Sequence, residues 1–151
     1  MNAPLVFETP PLASGVVGRV GENLAAYYLE ANGFECSIVD RRGADIWCRA
    51  PNGDLFELEV KASCTLTTGN RYHTFTILKK EADQYMLTCL DTNYFRIFSR
   101  DQINERMTSG TLHMKPAEFS EKLMIDDMNA LKSTYMSTVK DILDIYLPSG
   151  A

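Results

Sequence analysis

Residues 44–63, Ala-Asp-Ile-Trp-Cys-Arg-Ala-Pro-Asn-Gly-Asp-Leu-Phe-Glu-Leu-Glu-Val-Lys-Ala-Ser, decide how the whole chain reads. Apolar and polar residues alternate over 44–50 and again over 54–63, and Pro51-Asn52-Gly53 between them is turn chemistry. The pattern predicts a β-hairpin. Side chains two apart in a strand share a face, so Phe56, Leu58, Val60 and Ala62 point one way and Glu57, Glu59, Lys61 and Ser63 the other. On the first strand Ile46 and Cys48 suit a core, while Asp45, Trp47 and Arg49 face oppositely. Antiparallel pairing then brings Asp45 beside Glu59 and Lys61. Two carboxylates so placed suit a hard cation such as Mg²⁺, which takes one or two carboxylates and keeps waters for chemistry. A lysine two residues along can orient a water or offset charge developing on phosphorus. The plainer alternative is a solvated strand face carrying a Glu–Lys pair.

Upstream, Ser14 or Gly15 opens a predicted helix that runs to about Asn32, with Gly33 as its stop. Val17, Val20, Leu24, Tyr28 and Ala31 recur at threes and fours, the expected core stripe. Gly15, Gly18 and Gly21 each cost such a helix about 1 kcal/mol relative to alanine. That cost suggests close approach of another backbone or of a phosphate; a loop entering the helix is the alternative. Glu22 lies off the stripe near the helix start, where a negative charge is also favourable for electrostatic reasons alone. Phe34 to Asp40 reads as a first strand, and Arg41-Arg42-Gly43 turns it into the hairpin.

The order helix, strand, strand, strand, with Asp45 on the second strand and Glu59-Val60-Lys61 on the third, resembles the PD-(D/E)XK nuclease superfamily. Its restriction, repair and junction-resolving members cut phosphodiesters with Mg²⁺. The resemblance spans about residues 15–99. Ala44 stands where the family has proline, a position that binds no metal. Gly18-Arg19-Val20-Gly21-Glu22 resembles the Gly-x-x-x-Glu helix of one branch, which includes archaeal-type Holliday junction resolvases and several restriction-like enzymes. By this resemblance Asp45, Glu59 and the carbonyl of Val60 are expected metal ligands and Lys61 the residue that handles the water. Glu22 would supply an additional acid for a second ion or a water.

Residues 64–76 begin polar, with Gly69, and then turn extended. Arg71 and the hydroxyl and amide side chains before it could touch phosphates, or form a solvated loop. Leu78 to Gln84 reads as a short helix carrying Lys79 and Lys80, which would face DNA or only solvent. With Arg41, Arg42 and Ser63, these cations complete the expected DNA-binding set. Tyr85 to Leu90 and Tyr94 to Phe98 read as strands around a turn at 91–93. Ser99-Arg100-Asp101-Gln102 has the form of a capping box for a helix to about Met107. An irregular connector around Ser109-Gly110 and Pro116 leads to a long amphipathic helix with Met128, Leu131, Tyr135, Val139, Ile142 and Tyr146 on one stripe. That stripe packs on its own domain or against a second copy.

At 151 residues, the chain suits a single domain with a real core, and an apolar fraction of 45% is ordinary for a globular protein. No apolar run reaches the length of a membrane span, and the N-terminus lacks a basic, then apolar, secretory pattern. Cys36, Cys48, Cys64 and Cys89 include no C-x-x-C pair, and His73 and His113 stand alone in sequence. Zinc-ligand spacing is therefore missing, and reduced thiols of a cytoplasmic protein are expected. A net charge of −5 is unusual for a nucleic-acid binder, but six acids against three lysines in residues 116–151 account for −3 of it.

The expectation is an α/β protein with a restriction endonuclease-like core: a mixed central β-sheet flanked by helices, with an added C-terminal amphipathic helix. Residues 1–13 would form a flexible arm, 14–108 the nuclease core and 109–151 a helical extension. The implied activity is Mg²⁺-dependent endonuclease cleavage of DNA, with Mn²⁺ as a substitute ion. Site-selective cutting of duplex DNA by a homodimer or higher oligomer is the leading form. A structure-selective junction resolvase is the alternative within the enzyme class, and a catalytically inactive DNA-binding or assembly module of the same fold is the alternative outside it.

Overall fold

The computed structural model describes residues 14–41, 44–63, 71–78, 81–107 and 109–146, and for residues 14, 40, 41 and 136–146 the backbone alone. The expected N-terminal arm, Arg42, residues 64–70, Lys79 and Lys80 lie outside the described residues. Helix α1 (Ser14–Ala31) is followed by strands β1 (Glu35–Arg41), β2 (Ala44–Arg49) and β3 (Leu55–Ser63). Next come β4 (His73–Thr76), β5 (Gln84–Cys89), β6 (Tyr94–Ser99) and helix α2 (Arg100–Arg106). Strand β7 (Thr111–Met114), a 3₁₀ turn (Pro116–Glu118) and the long helix α3 (Glu121–Tyr146) complete the order.

Among the described residues β1, β2, β3, β5 and β6 form one mixed sheet in that order. The β3–β5 pair is parallel and the others antiparallel. The hairpin forms as its alternation dictates. Ala44, Ile46 and Cys48 are buried on β2, as are Phe56, Leu58 and Val60 on β3. Gly53 takes φ +90° in the turn, a backbone state that only glycine adopts without strain.

One sheet face packs Ile46, Phe56, Leu58, Val60, Met86 and Ile97 beneath Ala25 and Leu29 of α1 and Met128 and Leu131 of α3. The opposite face carries Tyr85, Leu87, Cys89 and Phe98 under a second layer made by β4, β7 and Ile103 of α2. Strand β5 is thus buried along its whole length, which its run of Tyr, Met, Leu, Thr and Cys permits.

Three details differ from the expectations, and a fourth decides between the two alternatives for the start of the long helix. The buried ridge of α1 is Val17, Gly21, Ala25 and Leu29, whereas Val20 is exposed. Glycine belongs to that ridge because a Cβ at Gly21 would stand 2.8 Å from the Cβ of Ala62, so its absence lets α1 approach β3. No helix forms in the described part of 78–84, where Glu81 to Asp83 runs as irregular chain into β5. The guanidinium of Arg100 donates to the carbonyls of Glu81 and Ala82, satisfying backbone that a helix would otherwise pair internally. Residues 111–114 form β7 rather than irregular chain, because β4 offers an antiparallel partner that periodicity alone does not reveal. Finally, the first part of α3 packs on its own sheet. Tyr135 stacks on Phe56 at 4.1 Å between ring centres, and Asp127 accepts from Arg96 at 2.7 Å and from the Ile97 amide at 2.8 Å. Residues 128–135 of the proposed intermolecular stripe are therefore engaged internally. The expected helix α2 does form, with the capping box closed by Ser99 and Gln102.

Candidate active site

The last β2–β3 pair is Ile46 with Leu58, and past it the chains are joined by a side chain instead of a backbone rung. The Val60 amide donates to Asp45 Oδ2 at 2.8 Å. In an extended strand a residue's amide and carbonyl point to the same side, so the Val60 carbonyl also faces the Asp45 side. Glu59 and Lys61 project from the opposite face to Val60, and in the parallel register they lie beside Tyr85 and Leu87.

Glu59 is the unusual group. Its side chain is only 14% exposed, and Oε2 is buried with no hydrogen-bond partner among the described residues. Its other oxygen, Oε1, lies 3.9 Å from Lys61 Nζ. Burial is the largest influence on this carboxyl and pushes its pKa up, the Lys61 ammonium pulls it down, and the charges of Asp45 and Glu81 push it up again. A buried, incompletely satisfied carboxylate next to further acids is destabilising without a cation. The donor set therefore fits Mg²⁺, with Asp45, Glu59 and the Val60 carbonyl as the available oxygens.

Glu81 and Tyr85 belong to this environment and sequence reasoning missed both. Tyr85 is fully buried, its hydroxyl accepts from the Ala82 amide at 3.1 Å, and burial first, then the Glu59 charge among lesser influences, raise its pKa. Only the β3–β5 register, which joins residues far apart in the chain, could have indicated Tyr85. Beside the acids, Trp47, Glu57, Leu55, Glu81, Asp83 and Arg100 help line a groove of about 700 Å³. Trp47 and Glu57 are cross-strand partners, two residues from Asp45 and Glu59 respectively, so the groove continues the same sheet face.

The remaining expected residues are more scattered. Glu22 is half-buried and directly follows Gly21, whose contact with Val60 and Ala62 brings the α1 backbone against the motif strand. Ser63 is buried, and its hydroxyl lies 3.1 Å from His73 Nδ1. Arg71 is exposed and shares a shallow depression with Tyr72 and Lys115. Arg42, Lys79, Lys80 and the side chain of Arg41 lie outside the described residues.

The fold is that of a mixed α/β domain of nuclease-like architecture, with the expected mixed sheet, flanking helices and C-terminal helix. Among the solved structures similar to it is that of the bacterial homing endonuclease I-Ssp6803I, matched with a TM-score of 0.58 over 81% of this chain and 98% of that one. Sequence identity is 16%, so the likeness is one of fold. No protein-family model matches the chain, and no curated protein does. Among the described residues no helix is long and apolar enough to cross a membrane.

Proposed function

We propose that the chain is a metal-dependent DNA endonuclease of the PD-(D/E)XK type. The observation that carries this reading is the buried, unsatisfied Oε2 of Glu59 beside Asp45 and Lys61, on a fold shared with a homing endonuclease. Asp45, Glu59 and the Val60 carbonyl would hold Mg²⁺, with Mn²⁺ as a substitute, and Glu22 would hold a further ion or water. Bound there, the ion would supply Lewis-acid polarisation of the scissile phosphate and a more acidic water. The chain's own part follows from position. Lys61 would orient the attacking water through its ammonium, or take the water's proton if it acts as the neutral amine, and in its charged form would offset charge that accumulates on the phosphate oxygens. Sheet strands hold Asp45, Glu59 and Lys61 with little rearrangement, which keeps the groups preorganised.

Duplex DNA is the proposed substrate, and discrete sites the proposed selectivity. A groove whose lining includes Glu57, Glu81 and Asp83 attracts phosphates poorly, so base contacts and DNA shape must contribute more than bulk charge. Arg41, Arg42, Arg71, Lys79 and Lys80 are the proposed contacts. Cutting both strands needs two active sites, and the proposed state is a homodimer or higher oligomer using the part of α3 beyond Tyr135. The test is incubation with plasmid, single-stranded and four-way-junction DNA, in Mg²⁺ or in EDTA. Discrete Mg²⁺-dependent duplex fragments are expected. Exclusive cutting of four-way junctions would assign a resolvase instead, and no cutting of any substrate would leave a non-catalytic module.

A further inference from the structure

At the far end of β3 from the hairpin turn, a second group of metal-binding side chains comes together. His73 opens β4, Cys89 closes β5, and Asp91 sits in the turn that follows. One ligand atom from each lies within 4.8 Å of the other two. His73 and Cys89 are 2% and 0% exposed, whereas the Asp91 side chain is 39% exposed and opens the group to solvent.

Its surroundings hold these groups in place. Ser63 and Cys89 are register partners of the parallel pair, and the Leu90 amide donates to the Ser63 carbonyl at 2.8 Å. The turn closes with the Asn93 amide on the Cys89 carbonyl at 2.7 Å, and Asn93 takes φ +62° to do so. The His73 ring packs edge-on against Phe119. Ser63 Oγ lies 3.1 Å from Nδ1, which directs the other ring nitrogen, Nε2, toward Asp91. Such a partner on the far nitrogen is the usual outer support of a metal-bound histidine.

The Nε2 to Asp91 Oδ2 separation is 3.6 Å. That is too long for a hydrogen bond. It is close to the edge of a coordination tetrahedron, about 3.3 Å for two ligands each roughly 2.0 Å from one ion. We infer that His73, Cys89 and Asp91 form a binding site for a borderline-soft divalent cation of the Zn²⁺ class, distinct from the carboxylate pair at Asp45 and Glu59. Thiolate plus imidazole selects Zn²⁺ or Co²⁺ over Mg²⁺, and the open Asp91 side leaves room for a water as fourth ligand. Ser63 stands four residues beyond Glu59 on β3, about 13 Å at the rise of an extended strand, so one ion cannot serve both sites. A cation here ties the start of β4 to the β5–β6 turn, fixing the chain just after Arg71. The inference stands whether or not the protein cuts DNA.

The test is Co²⁺ titration of the metal-stripped, reduced full chain, followed by absorption. One equivalent should produce a thiolate-to-cobalt band in the near ultraviolet with visible d–d bands, and Zn²⁺ should displace it. Cys89→Ser should abolish the ultraviolet band. Asp91→Asn changes an exposed turn residue and should weaken Co²⁺ binding by about tenfold or more while leaving the thermal midpoint of the metal-free protein unchanged. Glu59→Gln should bind Co²⁺ here as the wild type does, and millimolar Mg²⁺ should not compete. Absence of the band from the wild type, or its persistence in Cys89→Ser, would overturn the assignment.

Discussion

Asp45 Oδ2 accepts the Val60 amide at 2.8 Å where the β2–β3 ladder ends, so one carboxylate both closes the splayed strands and faces the proposed ion. These two duties separate on substitution. Asp45→Asn keeps an acceptor for the amide and should leave the thermal midpoint near that of the wild type, yet lower cleavage by about 10²–10³-fold. Asp45→Ala should lose as much activity and also about 1 kcal/mol of stability, a midpoint lower by about 2–4 °C. Plasmid nicking rates and thermal melts of both variants check this; near-wild-type cutting by Asp45→Asn would remove Asp45 from the site.

Glu59 gives a pH signature. Its pKa is raised in the fold, chiefly by burial, so above the ordinary carboxylate range the metal-free folded state holds a proton that the unfolded chain has released. The associated stability is complete at acid pH and fades as pH rises through the raised value. Glu59→Gln should therefore melt higher than the wild type in EDTA at neutral pH, with the gap closing toward acid. Mg²⁺ should raise the midpoint of the wild type and not that of Glu59→Gln. Melting curves across pH, with and without Mg²⁺, decide it, and a wild type unmoved by millimolar Mg²⁺ even with DNA counts against the site.

The glycines of α1 should separate by position. A Cβ at Gly18 meets nothing within 4 Å, so Gly18→Ala should stabilise by up to about 1 kcal/mol through helix propensity. At Gly21 the new Cβ would press on Ala62, and overpacking of about 1–3 kcal/mol should outweigh the same gain. Adding Ala62→Gly should recover part of the loss. Denaturant midpoints of the three variants measure these effects; equal stabilisation by both alanines would mean that α1 does not rest on β3 at Gly21.

Arg71 is exposed, and its planar guanidinium can bond two acceptors of a guanine edge at once. Arg71→Ala should relax or abolish the choice of cleavage site while weakening non-specific binding little. Fragment patterns from a duplex library test this. A random smear from every duplex, unaltered by Arg71→Ala, would discard sequence reading by this residue.

Strand parity was legible in the chain itself. The alternation in 44–63 dictates which side chains share a face, and Pro-Asn-Gly dictates where the strands reverse, because both are consequences of local backbone geometry. The capping box at Ser99 and the stop at Gly33 are local in the same sense. The Asp45, Glu59 and Lys61 constellation could thus be named in advance as candidates.

What required tertiary structure is everything set by contacts between distant segments. Gly21 reads as a helix weakness until Ala62 is packed against it. Residues 111–114 become a strand only because β4 lies alongside. Parallel pairing of β3 with β5 buries Glu59 beside Tyr85, and the same register sets Ser63 opposite Cys89. His73, isolated in sequence, meets Cys89 and Asp91 through that pairing. Spacing along a chain encodes faces of single elements, whereas the distance between elements depends on which surfaces bury each other, and that is decided when the sheet closes between its two cores.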